Sequence, residues 1–219
     1  MKKIIQGLFL CIIIALILIP VNTVTEKDLH GSWVIKNIPA AEMIEQTLAS
    51  GNIYCDIDDD LQMSYEFCYQ EDGTVIIKVE ENSARELIAT MNEALVDYLT
   101  EYAYTMLSET DGLSREEIDA ALAIQGLTIG DLLTAVLEQY DTESLFSSGF
   151  PVITQYYCVK DGILGYANSS EDLEAGNFTM TVTPTVIGDT LVLSDAYDGE
   201  GNPFEGSGVI KYPLTLTGK

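Results

Sequence analysis

The apolar positions of the chain change their spacing twice along its length. They alternate with polar positions over residues 30–80, recur every three or four positions over residues 82–140, and alternate again over residues 150–217. Alternation predicts strands with one apolar face, and the longer spacing predicts amphipathic helices. In the first block we also expect a short helix that begins after Pro39 and ends before Gly51.

The strands are joined by short polar dipeptides that are typical of tight reversals, namely Asp72-Gly73, Asp161-Gly162 and Gly188-Asp189. We count eight strands, or nine if residues 53–57 form one. A meander of this kind buries its apolar faces by closing into a barrel or by stacking two sheets. The pattern predicts a mainly β fold, an antiparallel barrel of eight to nine strands.

The helical block interrupts this meander between two hairpins. Capping boxes at Ser83, Ser114 and Thr128 predict the starts of about three helices, which we place as an insertion over residues 82–148. The apolar stripe of the first helix is predicted to contain Leu87, Met91, Leu95, Tyr98 or Leu99, Tyr102 and Met106.

The first 23 residues differ in character from the rest of the chain. Lys2 and Lys3 precede an unbroken apolar run of twelve residues, 8–19. That length is typical of a signal peptide and is short for a membrane span of about 20 residues. We expect residues 1–23 to be a signal peptide or an uncleaved N-terminal membrane anchor. Residues 24–219 would then form one domain that is extracellular or displayed at the cell surface.

Net charge excludes several partners. The chain has 35 acidic against 10 basic residues, a net charge of −25. Such a surface repels phosphate backbones and anionic lipid headgroups, so we expect no nucleic-acid binding and membrane contact only through the N-terminal segment. The acid is densest in the insertion, where residues 81–148 contain fourteen acidic side chains and two arginines. A protein partner of the insertion would be cationic or would contact its apolar stripe.

Cysteine spacing leaves two interpretations open. Cys11 lies inside the apolar run, while Cys55 and Cys68 flank an acidic segment that could reverse the chain. If their segments pair as a hairpin, a disulfide between Cys55 and Cys68 is geometrically feasible. Reduced, partly buried thiols are the alternative.

Gly31 and Trp33 form a Gly-x-Trp motif at the start of the first predicted strand, followed by an early helix and Asp-Gly hairpins. This order resembles the small exported lipocalin-like domains of bacteria over residues 28–80 and 150–217. In that family the tryptophan closes one barrel end and packs on an arginine of the last strand, for which Lys211 is the nearest substitute here. The resemblance gives Gly31 and Trp33 structural roles and implies either a small apolar ligand inside the barrel or a purely structural domain.

Catalytic and metal chemistry have little support in the sequence. His30 is the single histidine, which argues against Ser-His-Asp, Cys-His and His-ligated metal sites. Asp56, Asp58 and Asp60 are candidate calcium ligands because calcium prefers carboxylate oxygens, with a solvated acidic turn as the alternative. We expect a non-catalytic protein without a cofactor.

Two functions follow from this sequence. The first is the binding of a small hydrophobic ligand in the barrel, for which the candidate lining residues are Tyr65, Phe67, Tyr69, Tyr157, Phe178 and Tyr212. The second is a structural or protein-interaction domain whose barrel is filled by its own side chains and whose helical insert is the contact surface. The volume left inside the barrel distinguishes them, because pockets that hold ligands measure about 300 Å³ or more.

Overall fold

The structure is a computed structural model, and it describes residues 23–50, 53–137, 142–207 and 210–219. The predicted signal peptide or anchor lies outside the described residues except for Thr23, and Cys11 lies outside them too.

Eight antiparallel strands form a closed barrel, which confirms the predicted fold class. Their bounds are β1 (Gly31–Pro39), β2 (Gln62–Tyr69), β3 (Thr74–Val79), β4 (Ile153–Lys160), β5 (Ile163–Ala167), β6 (Met180–Ile187), β7 (Thr190–Asp198) and β10 (Leu214–Gly218). Around the barrel these strands follow the order β1-β10-β7-β6-β5-β4-β3-β2. Two further strands, β8 (Gly206–Ser207) and β9 (Ile210–Lys211), pair only with each other as a short ribbon. Residues 53–57 form no strand, so the optional ninth barrel strand is absent there.

Hairpin chemistry explains the register of the barrel. Lys160 and Ile163 are paired across a loop of two residues, Asp161 and Gly162, whose φ angles are 54° and 78°. Positive φ at both positions is what a type I′ turn requires, and an Asp-Gly dipeptide tolerates it. The turn twists with the strands it joins, and it fixes which side chains of β4 and β5 point inward.

The two ends of the barrel differ in what they carry. The turns of the hairpins β2–β3, β4–β5 and β6–β7 all lie at the end where β1 begins, which we call the hairpin end. The chain leaves β1 and β3 for helices at the opposite end, which we call the insert end. The N-terminal segment therefore reaches the barrel at one end, and the helical insert departs from the other.

Seven helices are present among the described residues, four of them in the insertion where about three were expected. They are α1 (Glu26–Leu29), α2 (Ala41–Ser50), α3 (Glu81–Asp111), α4 (Arg115–Ala123), α5 (Ile129–Leu137), α6 (Thr142–Gly149) and α7 (Ser170–Ala175). The start predicted at Ser83 is wrong, because Glu80 caps α3 by accepting hydrogen bonds from the backbone of Asn82 and Ser83. The capping boxes at Ser114 and Thr128 are confirmed.

Two apolar clusters stabilise this arrangement. One fills the barrel, and the other lies at the insert end, where α2, α3 and the end of α6 pack on the sheet. The partly buried Ile35, Tyr65 and Ile210 pack against both clusters and so link the helices to the barrel.

Candidate functional site

The barrel interior is built around a group of tyrosines. Tyr69 from β2, Tyr157 from β4 and Tyr166 from β5 are all buried, together with Phe67. The hydroxyl oxygens of Tyr69 and Tyr166 are 2.5 Å apart and hydrogen-bonded, and the ring of Tyr157 meets that of Tyr69 edge-on at 4.9 Å. Sequence reasoning missed Tyr166, although it alternates with Leu164 on a predicted strand and so shares its inward face.

Two further hydroxyls of this interior also have protein partners. Tyr157 donates to the backbone oxygen of Gln70 at 2.9 Å, and Tyr212 donates to the sulfur of Met180 at 3.4 Å. Burial raises the pKa of Tyr157 and of Tyr212 to about 12, and it raises the pKa of Tyr69 and Tyr166 further. These phenols are therefore neutral at physiological pH, and their hydrogen bonds are used within the fold.

Five of the six predicted lining residues contribute to the barrel core. Phe67, Tyr69 and Tyr157 belong to its buried part, and the half-buried Tyr65 and Tyr212 pack against it. Tyr65 lies at the junction with the helical cluster.

Phe178 is the exception, and its predicted place inside the barrel is wrong. Its ring lies where a Cβ on Gly165 would be only 2.6 Å away. Leu164 and Tyr166 point inward, so the intervening Gly165 faces outward and Phe178 covers the outer surface of β5. The error arises because β6 begins at Met180, two residues later, so Phe178 does not follow the alternation of that strand.

Trp33 closes the hairpin end of the barrel. Its indole nitrogen donates to the backbone oxygen of Leu29 at 2.7 Å, which ties α1 across the barrel end, and Leu29 is fully buried. Gly31 has a φ of 116°, a conformation that favours glycine at the point where the chain turns into β1. Lys211, the substitute suggested for the family's arginine, is exposed on β9 in the separate ribbon.

Three clefts lined by described residues lie outside the barrel. One of about 660 Å³ lies at the hairpin end between residues 23–27 and the β4–β5 turn, and one of about 390 Å³ lies between α2 and residues 54–56. A third, of about 230 Å³, lies between β1 and the start of α3. None of these three is lined by any of the six residues predicted to face a ligand.

The fold does not assemble the candidate disulfide or the candidate calcium site. Cys55, Cys68 and Cys158 are free, so the disulfide between Cys55 and Cys68 is not formed. The hairpin that it required is absent, because β2 pairs with β1 and β3 while Cys55 lies in a segment without strand structure.

The acidic segment after Cys55 forms an ordinary turn. A carboxylate oxygen of Asp58 accepts a hydrogen bond from the backbone of Asp60 at 2.9 Å. Within the part of the chain that the structure describes, Asp56, Asp58 and Asp60 form no group of three or more side chains that could hold a metal ion.

A charged cluster lies on the outer face of the barrel beside the third cleft. Glu66 on β2 is 6% exposed and is paired with Lys219 at 3.1 Å and with Lys78 at 3.5 Å. Lys219 also contacts Glu80 at 3.1 Å. Burial by itself raises the pKa of Glu66, but hydrogen bonds from Lys219 and Ser32 and the two lysine charges outweigh burial and lower it.

The helical insert exposes apolar side chains away from the barrel. The stripe of α3 is buried at Leu87, Met91 and Leu95, but on the same face Tyr102 and Met106 are 55% and 43% exposed. Ile124, which follows α4, is 88% exposed. The sequence pattern predicts the stripe as far as Met106, but the pattern does not indicate how far along α3 the stripe is buried.

Comparisons with family models, with curated proteins and with solved structures give no match to this chain. Among the helices of the described residues, none combines the length and the apolar character that a membrane crossing needs.

Proposed function

We propose that this chain is an exported, non-catalytic domain in which a filled lipocalin-like barrel presents its helical insert to a protein partner. The observation that carries the proposal is the packing of the barrel interior. Large side chains from β1, β2, β4 and β5 occupy it, and the buried hydroxyls of Tyr69 and Tyr166 are hydrogen-bonded to each other. Two buried hydroxyls that bond to each other are typical of a packed core and leave no polar group free for a ligand at that point.

The arrangement of the two barrel ends supports the same function. Thr23 and the residues after it lie beside the β4–β5 turn at the hairpin end, whereas α3 leaves β3 at the insert end. If residues 1–23 anchor the chain, the barrel is a spacer between the anchor and the insert. The insert would then project away from the attachment point, where a partner can reach it.

Photo-crosslinking in the source organism tests the proposal. Benzoylphenylalanine replaces Ile124 on the insert in one variant and Ile187 at the hairpin end in another, since these side chains are 88% and 68% exposed. We expect crosslinks to another protein from position 124 and none from position 187. Equal crosslinking from both positions, or from position 187 alone, would contradict the insert as the contact surface.

Native mass spectrometry of the protein purified from the same organism tests the competing ligand-binding function. A filled barrel predicts the mass of the chain alone. A small apolar molecule that remains bound in the native state and is released on unfolding would overturn the proposal in favour of ligand binding inside the barrel.

A further inference from the structure

We infer that the partner contacts the insert through a basic amphipathic helix, which docks on the exposed part of the α3 stripe. This inference rests on the proposed function and names the surface and the chemistry of its partner. We call the surface the exposed stripe, and it consists of the exposed Tyr102 and Met106 with the half-buried Tyr98 at its inner end.

The exposed stripe continues a buried one. Positions three or four apart lie on one face of a helix, so Leu87, Met91 and Leu95 share a face with Tyr98, which follows Leu95 by three positions, and with Tyr102 and Met106. Over its first turns this face packs on β2, α2 and α6 in the cluster at the insert end. Since α3 has 31 residues and rises about 1.5 Å per residue, its far end extends well beyond that cluster. The same apolar face is therefore covered at one end and uncovered at the other.

Contacts between α4 and the opposite face of α3 support the part of α3 that carries the exposed stripe. The guanidinium of Arg115 on α4 lies 4.0 Å from the ring centre of Tyr104 and pairs with Glu101, while Asp119 accepts a hydrogen bond from the hydroxyl of Tyr104. Gly112 ends the helix in a left-handed conformation, with its N–H bonded to the backbone oxygen of Ser108. A surface that is ordered before binding loses less entropy when a partner docks.

The negative charge of the insert favours a positively charged partner. Residues 81–148 contain fourteen acidic side chains, and their two arginines are engaged within the insert, Arg85 with Glu81 and Arg115 with Glu101. Glu109 follows Met106 by one helical turn and is exposed beside the stripe. A second copy of this chain would bring the same negative charge to the contact, so self-association through this face is opposed.

These features match one mode of recognition. A helix that carries apolar residues at positions i and i+4 can lay them along the exposed stripe, as amphipathic helices do in apolar grooves and coiled-coil seams. Lysine and arginine at its edges would then face the carboxylates that flank the stripe. Such a contact gains on-rate from long-range attraction and weakens as salt screens the charges.

A peptide selection tests the inference without a known partner. A display library of random peptides, about five helical turns long, is selected on the full chain in zwitterionic nanodiscs, with empty nanodiscs for counter-selection. We expect enriched peptides with net positive charge, helical apolar spacing and affinity that falls with added salt. They should bind the Tyr102→Ser/Met106→Ser variant at least about tenfold more weakly. The matched Ile163→Ser/Ile187→Ser variant, which removes exposed apolar side chains at the hairpin end, should bind them normally.

Each other result decides against the inference. Enriched peptides without positive charge, equal binding to both variants, or no peptide that binds the insert would overturn it. Peptides that compete with crosslinking at position 124 but tolerate the stripe variant would overturn only the docking surface and leave the proposed function in place. Circular dichroism of both variants checks that the helices are intact, and Glu109→Lys supplies a second variant that should weaken binding while sparing the apolar face.

Discussion

Lys219 is expected to stabilise the closed barrel through the buried carboxylate of Glu66. Its ammonium group lies 3.1 Å from oxygens of both Glu66 and Glu80, and its backbone N–H donates to the backbone oxygen of Ser32 on β1. The substitution Lys219→Met keeps most of the aliphatic length and removes the charge. Glu66 would then retain Lys78, at 3.5 Å, as its remaining cation.

The size of the effect follows from the two contacts. A hydrogen bond to a charged partner contributes about 1.5–3 kcal/mol when buried, and the 45% exposure of the Lys219 side chain places the Glu66 contact near the lower value. The contact with Glu80 is a more exposed pair and adds about 0.5 kcal/mol. We expect Lys219→Met to lower the free energy of unfolding by about 2 kcal/mol, which corresponds to about 4–8 °C in Tm for a chain of this size.

Urea unfolding at neutral pH measures this quantity. The fluorescence of Trp33, the single and buried tryptophan, reports on the barrel, and far-ultraviolet circular dichroism reports on the helices. Lys27→Met is the matched control, because Lys27 is exposed and its removal makes the net charge equally more negative. A loss for Lys219→Met no larger than that for Lys27→Met would refute the reasoning.

The pH dependence gives an independent check on the same contacts. The pKa values of Glu66 and Glu80 lie below the ordinary 4.5, since the hydrogen bonds and charge of Lys219 overcome the opposing effect of burial. A carboxyl whose pKa is depressed by folding contributes its full stabilisation above the unfolded value and loses it as the pH falls through the folded value. The difference between the wild type and Lys219→Met should therefore be full above pH 4.5 and shrink below it. A difference that persists in acid would mean that packing, rather than charge, is responsible.

Further predictions concern the core and the thiols. Tyr166→Phe should cost about 1–2 kcal/mol by leaving the hydroxyl of Tyr69 buried without its partner, and the double variant Tyr69→Phe/Tyr166→Phe should cost less than the sum of the two singles in urea unfolding. Trp33→Phe should cost about 2–3 kcal/mol in the same assay, because the backbone oxygen of Leu29 loses its donor and the smaller ring packs less well; a near-neutral result would contradict the closing role of Trp33. Gly165→Ala should lower Tm because its Cβ would lie 2.6 Å from the ring of Phe178, and adding Phe178→Ala should recover part of the loss. Alkylation of the unfolded, unreduced protein should modify Cys55, Cys68 and Cys158, and protection of Cys55 and Cys68 until a reductant is added would show that they form a disulfide.

Much of the barrel could be predicted because its local signals agree. Tyr65, Phe67 and Tyr69 alternate with polar residues on β2, and the Asp161-Gly162 turn imposes the pairing of β4 with β5. When periodicity and turn chemistry specify the same register, few alternative pairings remain. Tyr166 was accessible to the same reasoning, since it lies two residues after the buried Leu164.

The errors lie where tertiary contacts outweigh local pattern. Ser83 resembles an N-cap, but its hydroxyl accepts a hydrogen bond from the backbone of Ser64, and Glu80 caps α3 instead. Residues 53–57 have the composition of a strand, but the backbone of Ile57 donates to a carboxylate oxygen of Glu45 on α2. A barrel closed by eight strands also offers no free edge on which a ninth could pair.

The stripe of α3 shows why a site on the insert needed the structure. Along the sequence its apolar positions are equivalent from Leu87 to Met106, because helical spacing reports a face and says nothing about what covers it. On this face full burial ends after Leu95, and Tyr102 and Met106 are exposed. Folding therefore uses the first half of the pattern, and Tyr102 and Met106 remain available among carboxylates. Inside the barrel the opposite holds, since the buried hydroxyls of Tyr69 and Tyr166 are hydrogen-bonded to each other. An apolar face that is exposed to solvent is a stronger reason to expect a partner than a core whose side chains already pack on one another. The proposed contact therefore lies on the insert.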